Sequence, residues 1–318
     1  MKGLTIKIGK RTDSFISCYT NQGYISFLDK VIEKDKVYVL LGGTFQVKSR
    51  IIREIANNLA DRGFDVNLLH NGLNPDILEG ARVSPLNVAI IDGSSARKLK
   101  DDAIVLLVKD IIDIDKLKQE QKEEIEKLEA WKRELVEKYP RGVKDKEKGN
   151  LSIIPGAKQF FAQALTYKGK INYYDKILLG LEDKRYLNNL DSHSASEILT
   201  FFAKTLEEGG VNTEVYHNFL EPEIIELLVI RESNLAIGIK SFDLQFKPIN
   251  NPHVVYVEKV PENPQIIIDA MQSLAKINRI NERIEEIYLG VTDFSSVHHI
   301  SELVLVDIVK NMLKKNSD

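Results

Sequence analysis

Residues 42–49 carry most of the residue types that a phosphate-binding loop needs. The pattern is G-x-x-x-x-G-K-[ST]; Gly42, Lys48 and Ser49 fall in register, whereas Val47 stands where the second glycine belongs. In such a loop, successive backbone N–H groups cradle phosphate oxygens, and the lysine neutralises the β- and γ-phosphates. The residues predicted to bind nucleotide are Gly42, Gly43, Thr44, Lys48 and Ser49.

Two side chains are candidates for holding Mg²⁺. The hydroxyl of Ser49 would ligate the metal, and Asp92, which ends an apolar stretch, would supply the carboxylate. The alternative is that Ser49 caps a helix, Lys48 is a solvated lysine and Asp92 forms a turn before Gly93. Because the three residues occur in the order of a nucleotide site, we expect ATP and Mg²⁺ as ligands, although no catalytic residue can be assigned.

Val47 is the main departure from the pattern. Glycine recurs in these loops where φ must be positive or where the backbone must approach the ligand closely. A β-branched residue at positive φ would cost on the order of 1–3 kcal/mol. The sequence after Asp92, "DGSSARK", also lacks a carboxylate to orient an attacking water. The first loop is therefore predicted to be a weakened site with weak or absent hydrolysis.

The elements around this loop read as strands alternating with a helix. "KVYVLL", "FDVNLL" and "NVAII" are predicted strands, and residues 49–62 place apolar side chains on one helical face, with Gly63 as the C-terminal cap. Such alternation predicts a parallel sheet with helices on its faces. Lys48, His70 and Asp92 each follow a strand, at the edge where ligands bind in such sheets.

An internal repeat divides the chain. Residues 49–94 align without a gap with residues 196–241, and residues 15–30 align with residues 161–176. A period this long exceeds the roughly 20 to 50 residues of solenoid repeats and indicates two duplicated domains, with the seam predicted in residues 139–150. The matched identities include Phe15/Phe161, His70/His217, Asn71/Asn218, Leu73/Leu220, Pro75/Pro222 and Asn87/Asn234.

The second copy has lost its phosphate loop. Ser194 replaces the second glycine, Ala195 replaces the lysine and Ile239 replaces the aspartate. His70 and His217 nevertheless persist together at the end of the same predicted strand. A general-base role is open to such a histidine. Because the residue is also present in the copy without the phosphate loop, a structural hydrogen bond across the strand ends is favoured.

Several of these segments resemble a bacterial family of tandem P-loop, ATPase-like proteins. The similar stretches are "F…T..G..SF.D" from Phe15, "RG.DV...H" ending at His70, "AI.DG" around Asp92, and residues 283–297. The resemblance implies an α/β fold of two tandem P-loop NTPase-like domains, each a mainly parallel sheet flanked by helices. The first would span residues 1–147 and include a long helical arm, and the second would span residues 148–318.

Composition excludes several classes of function. The 318 residues are 43% hydrophobic and 29% charged, with a net charge of −3, so no global field attracts nucleic acid or a membrane surface. Cys18 is the single cysteine, which excludes an internal disulfide, and no apolar run approaches the ~18 residues of a membrane span. Residues 115–139 read as an amphipathic helix of mixed charge. A cytoplasmic protein without membrane or nucleic-acid partners is expected.

Two functions are consistent with these residues. The first is an ATP-binding protein, a weak ATPase at most, that uses only the first domain. The second is a catalytically dead pseudo-ATPase that acts as a structural or protein-interaction scaffold. The sequence identifies no protein partner, substrate, pathway or oligomeric state.

Overall fold

The computed structural model describes residues 8–20, 22–33, 35–96, 101–108, 112–138, 151–188, 190–239, 247–250 and 264–315. The predicted seam, residues 139–150, lies outside these ranges, and so does the predicted domain boundary within it. The two halves that the repeat defines are therefore compared through their elements on either side.

The first half consists of short strands that alternate with helices. Its elements are β1 (Arg11–Phe15), β2 (Ser17–Thr20), β3 (Gly23–Ser26), α1 (Leu28–Val31), β4 (Lys36–Leu41), α2 (Phe45–Asp61), β5 (Val66–His70), β6 (Leu78–Val83), β7 (Val88–Asp92), β8 (Ile104–Leu107) and α3 (Gln119–Lys138). The predicted strands around β4, β5 and β7 are confirmed. The predicted long helix is α3, which packs against a C-terminal helix.

The second half repeats the order of the strands and short helices and adds two long helices. Its elements are β9 (Lys158–Phe161), β10 (Gln163–Thr166), β11 (Gly169–Asn172), α4 (Tyr174–Ile177), β12 (Asp183–Asn188), α5 (Ser192–Glu208), β13 (Glu214–His217), β14 (Ile225–Ile230), β15 (Leu235–Ile239), β16 (Lys247–Asn250), α6 (Pro264–Leu289) and α7 (Ser295–Lys315). Asn87 and Asn234 share a left-handed backbone, φ 50°, at matched positions before β7 and β15, so the repeat extends to local geometry.

Both halves contribute to one continuous sheet of 12 strands. Its order is β16-β12-β15-β14-β13-β9-β1-β5-β6-β7-β4-β8, which reads as the same strand order outward from the centre in each half. The halves meet where β1 and β9 pair antiparallel at Phe15 and Phe161. The α/β class is confirmed. The sheet is mixed, because β6 and β14 run antiparallel to both of their neighbours.

The helix after β4 begins earlier than the sequence predicts. It was expected at Ser49, but α2 starts at Phe45, with Thr44 as its cap: the Thr44 hydroxyl oxygen accepts a hydrogen bond from the Val47 N–H at 3.3 Å. Val47 is helical and only 2% exposed, and the positive-φ residues other than glycine in the described ranges are Asn87 and Asn234. The expected strain at Val47 is therefore wrong. The side chain packs in the core instead. The predicted cap at Gly63 is confirmed by its φ of 93° and its N–H bond to Ala60.

The C-terminal helices pack onto the first half. Helix α7 covers the outer side of α2 and adds Val297, Val304, Leu305 and Ile308 to the core of that half. Helix α6 lies against α3, where Arg283 pairs with Glu124 at 2.8 Å. This arrangement brings α6 to the N-terminus of α2, which is the predicted phosphate site.

Candidate functional site

The predicted lysine and aspartate meet in the interior. Lys48, one turn into α2, donates from Nζ to Asp92 Oδ1 at 2.6 Å and to Ser94 Oγ at 2.9 Å. Both partners are buried: the side chain of Lys48 is 5% exposed and that of Asp92 is 1% exposed. The Ser94 backbone N–H also donates to Asp92 Oδ1, at 2.8 Å. The lysine charge is therefore neutralised within the protein.

The loop before α2 is reduced to two glycines and a cap. Gly42 and Gly43 have φ values of 76° and 68°, a conformation that L side chains rarely adopt. A Cβ at Gly43 would lie 3.0 Å from Val108 Cγ1. The turn leads directly from β4 into the helix at Phe45, so the backbone does not form the longer nest of a phosphate loop. What remains is an ordinary helix N-terminus, at which the Val47 N–H already donates to Thr44.

That helix N-terminus receives a carboxylate from α6. The Gln46 N–H donates to Glu285 Oε1 at 3.2 Å. Glu285 is 5% exposed, and its Oε2 is buried without a hydrogen-bond partner among the described residues. Burial raises the pKa of Glu285, against the lowering effect of the Thr44 hydroxyl, the nearby backbone N–H groups and the charge of Lys48. A carboxyl group of the protein therefore already lies where a helix N-terminus would bind a phosphate group.

Ser49, the predicted magnesium ligand, has a structural partner. Its Oγ accepts the Leu78 N–H at 2.9 Å. Ser196, the matched residue of the second half, accepts the Ile225 N–H at 2.8 Å in the same way. Because the second half has no lysine or aspartate at the matched positions, this serine links the helix to the adjacent strand in both halves independently of a metal.

The paired histidines also have matched structural contacts. His70 Nδ1 lies 2.6 Å from the Pro75 carbonyl oxygen, and His217 Nδ1 lies 2.6 Å from that of Pro222. Each ring therefore donates from Nδ1, because a carbonyl oxygen can only accept. The expected hydrogen bond that holds the strand end is present in both halves. Burial lowers the pKa of His217 to about 4, so this ring is neutral near pH 7.

The other ring nitrogen distinguishes the two histidines. His70 Nε2 lies 2.6 Å from Asp13 Oδ1, whereas His217 Nε2 lies 2.9 Å from Gln159 Oε1. Lys176 of the second half also binds Asp13, at 2.9 Å. Burial would raise the pKa of Asp13, but the hydrogen bonds and charges of His70 and Lys176 hold it below its ordinary value. The first histidine thus belongs to an ion cluster that spans the junction of the halves.

A buried glutamate at the start of β6 was not identified from the sequence. Glu79 Oε1 accepts hydrogen bonds from Ser17 at 2.7 Å, from Tyr24 at 3.2 Å and from Asn71. Burial raises the pKa of Glu79 to about 7, and its Oε2 has no partner among the described residues. The signal was available, because the aligned segments "DILE" and "EIIE" both end in glutamate within otherwise apolar surroundings.

The matched residue Glu226 has a similar set of partners. Its Oε1 accepts from Tyr174 at 2.5 Å and from Gln163 at 3.3 Å, and its Oε2 accepts from Asn218 at 3.2 Å. Burial raises its pKa as well. In both halves the glutamate is bound by an asparagine and a tyrosine. It also links its strand to an antiparallel strand pair, to β2–β3 through Ser17 and Tyr24 and to β10–β11 through Gln163. It is therefore assigned to the fold rather than to chemistry.

Helices α2 and α5, which lie at matched positions in the two halves, differ at their N-termini. Asp191 caps α5 by accepting the N–H groups of His193 and Ser194, each at 3.0 Å. In α2 the corresponding carboxylate comes from Glu285, far along the chain. Features that the first half has and the second half lacks therefore include the Lys48–Asp92 pair and the contact with Glu285.

The chain has no significant match among protein-family models, curated proteins or solved structures. The resemblance to tandem P-loop proteins therefore stays a prediction. In the part of the chain that the structure describes, no group of three or more His, Cys, Asp or Glu side chains is arranged so that it could hold a metal ion. Within the same ranges, each helix is too short or too polar to cross a bilayer.

Proposed function

We propose that this chain is a scaffold built from two tandem P-loop-like units, in which the ancestral nucleotide site is closed by the protein's own side chains. One observation carries the proposal: the groups that a nucleotide would need are engaged internally. Lys48 binds Asp92, Ser49 binds the backbone of β6, and Glu285 lies at the N-terminus of α2.

The charges of the site argue against ATP and Mg²⁺ in this conformation. A γ-phosphate at the N-terminus of α2 would have to displace the Glu285 carboxyl group from the Gln46 N–H. Lys48 would have to leave Asp92, and breaking a buried ion pair typically costs about 3–5 kcal/mol when one partner stays uncompensated. The donor set, with Ser49 accepting a backbone N–H, does not fit a magnesium site.

Thermal melting tests the scaffold proposal. The full-length chain is expected to melt at the same temperature with and without Mg-ATP. A ligand that binds only the folded state would add about 2.7 kcal/mol of stability at a hundred times its Kd, so binding would be visible. An increase in melting temperature that saturates with Mg-ATP, and that Mg²⁺ with sulfate does not reproduce, would contradict the proposal.

A second candidate function is nucleotide binding by the first half after α6 withdraws. One observation favours it. The N-terminus of α2 already donates a hydrogen bond to a carboxyl group, and two glycines in the left-handed conformation precede that helix. Glu285→Gln removes the competing charge and keeps the side chain's size. Mg-ATP stabilisation that occurs in this variant and not in the parent would support the second candidate. Stabilisation in neither protein supports the scaffold.

A further inference from the structure

The outer face of α5 exposes two aromatic side chains. Phe201 is 66% exposed and Phe202 is 40% exposed, and their ring centroids lie 6.3 Å apart. Helix α5 packs on β14 and β15 through Ala195, Leu199 and Ala203, which are all buried. Contiguous exposed apolar side chains can mark an interaction site, and these two phenylalanines are adjacent on one surface helix.

The matched face of the first half is covered. In α2 the residues Ile51, Ile55 and Leu59 are fully buried, in a core cluster to which α7 also contributes. Their counterparts in α5 are Ile198, Phe202 and Leu206, of which Phe202 is exposed and the other two are half-buried. The apolar residues of this stripe are retained in both halves, but in the second half Ile198 and Leu206 pack against the core while Phe202 is exposed.

Phe201 also lies at a position that a C-terminal helix contacts in the first half. Its counterpart in α2 is Glu54, which contacts His298 of α7 at 2.5 Å. The charged residue under the covering helix has become an aromatic residue where α5 is exposed. Phe201 lies about 200° around the helix from both Leu199 and Ala203, so it points directly away from the sheet.

The polar and charged side chains on this face are arranged about a point between residues 200 and 201, next to Phe201. Glu197 lies four residues before it and Lys204 three residues after it, and both are exposed. One turn further out, His193 lies on the N-terminal side and Glu208 on the C-terminal side, also exposed. The pattern is self-complementary for a copy of the helix that runs in the opposite direction.

We propose that this face binds a second copy of the chain, with α5 packed antiparallel against α5 about a twofold axis near Phe201. In that arrangement Glu197 of each copy faces Lys204 of the other, and His193 faces Glu208. Phe201 packs against its own counterpart at the axis, and Phe202 extends the apolar contact on either side. Twofold contacts of this isologous kind are the commonest in homo-oligomers. The proposal does not depend on nucleotide binding.

Sedimentation equilibrium of the full-length chain tests this interface. The parent is expected to form dimers at roughly 100 µM or below, and Phe201→Glu to weaken the dimer at least about 30-fold, as removal of a central aromatic anchor does. Trp131→Glu on α3 is the matched control, because it replaces another exposed aromatic residue, 51% exposed, with the same charge. The control is expected to dimerise like the parent.

Charge exchange tests the antiparallel direction. Glu197→Lys and Lys204→Glu should each weaken the dimer, because each places like charges opposite one another twice. The double variant should restore it, because both pairs re-form with reversed sign. Such rescue would not arise from a general effect on folding.

Three results would overturn the proposal. The first is a parent chain that stays monomeric at roughly 100 µM. The second is a dimer that Phe201→Glu leaves intact. The third is a double charge variant whose dimer is no tighter than the dimers of the two single variants. A strictly monomeric chain would leave the face to a helix of a different protein.

Discussion

Lys48→Ala is expected to lower the free energy of unfolding by about 3–5 kcal/mol, because it leaves the Asp92 carboxylate as a buried, uncompensated charge. The pair is almost fully enclosed, with side chains 5% and 1% exposed, so solvent cannot replace the lost cation. Ser94 still donates to Asp92, but its hydroxyl and N–H are neutral donors. Urea unfolding near pH 7 measures the change.

The second half supplies the compensating substitution. Ala195 and Ile239 stand at the positions of Lys48 and Asp92, so Lys48→Ala with Asp92→Ile reproduces a combination that the fold already contains. The double variant is expected to recover most of the lost stability, since replacing a buried ion pair with apolar residues is often neutral.

The control for the ion pair is Lys36→Ala. Lys36 and Asp307 also pair, at 2.9 Å, but their side chains are 37% and 45% exposed. Exposed pairs contribute about 1 kcal/mol at most. If Lys48→Ala costs no more than Lys36→Ala, the Lys48–Asp92 pair does not organise the interior as described.

Glu79→Gln is expected to change how stability depends on pH. The pKa of Glu79 is about 7 in the folded protein and about 4.5 when the chain is unfolded. Below pH 4.5 the side chain is protonated in both states. Between pH 4.5 and 7 the unfolded chain loses the proton first, so the parent loses stability as the pH rises. The loss is complete above pH 7 and is on the order of 3 kcal/mol.

The glutamine variant lacks this titration. Its unfolding free energy minus that of the parent should therefore rise by on the order of 3 kcal/mol between pH 4 and pH 8. Urea unfolding at a series of pH values measures this difference, which removes contributions common to both proteins. Glu126→Gln, at an exposed position on α3, is the control for the effect of the substitution itself. A difference for Glu79→Gln that does not change with pH would mean that the buried glutamate keeps its ordinary pKa.

Local signals were sufficient for the elements around the site. "KVYVLL" forms β4 and is apolar throughout after its first residue, and the apolar spacing from Ile51 to Leu59 defines the buried face of α2. The repeat predicted that His70 and His217 share one role, because a residue kept in both halves cannot depend on a loop that only one of them retains. Their matched bonds to Pro75 and Pro222 agree with that reasoning.

Long-range contacts explain what the sequence could not predict. β6 was missed because it contains Glu79 and Arg82, and the burial of Arg82 depends on Asp35, which neutralises it at 2.8 Å from a distant position in the chain. Nothing near residue 285 indicates that its carboxylate will reach α2. The strain assigned to Val47 came from applying the geometry of an intact phosphate loop, whereas Thr44 starts the helix before that residue.

Isothermal titration of Mg-ATP into the full-length chain shows whether the protein's own side chains keep the predicted nucleotide site closed. The parent is expected to give no saturable heat of binding near pH 7. The combined Lys48→Ala and Asp92→Ile variant is the reference, because it keeps a neutral interior and lacks the lysine. Saturable binding of one nucleotide per chain in the parent, absent from the reference variant, would mean that Lys48 remains available to a nucleotide and that the site is open.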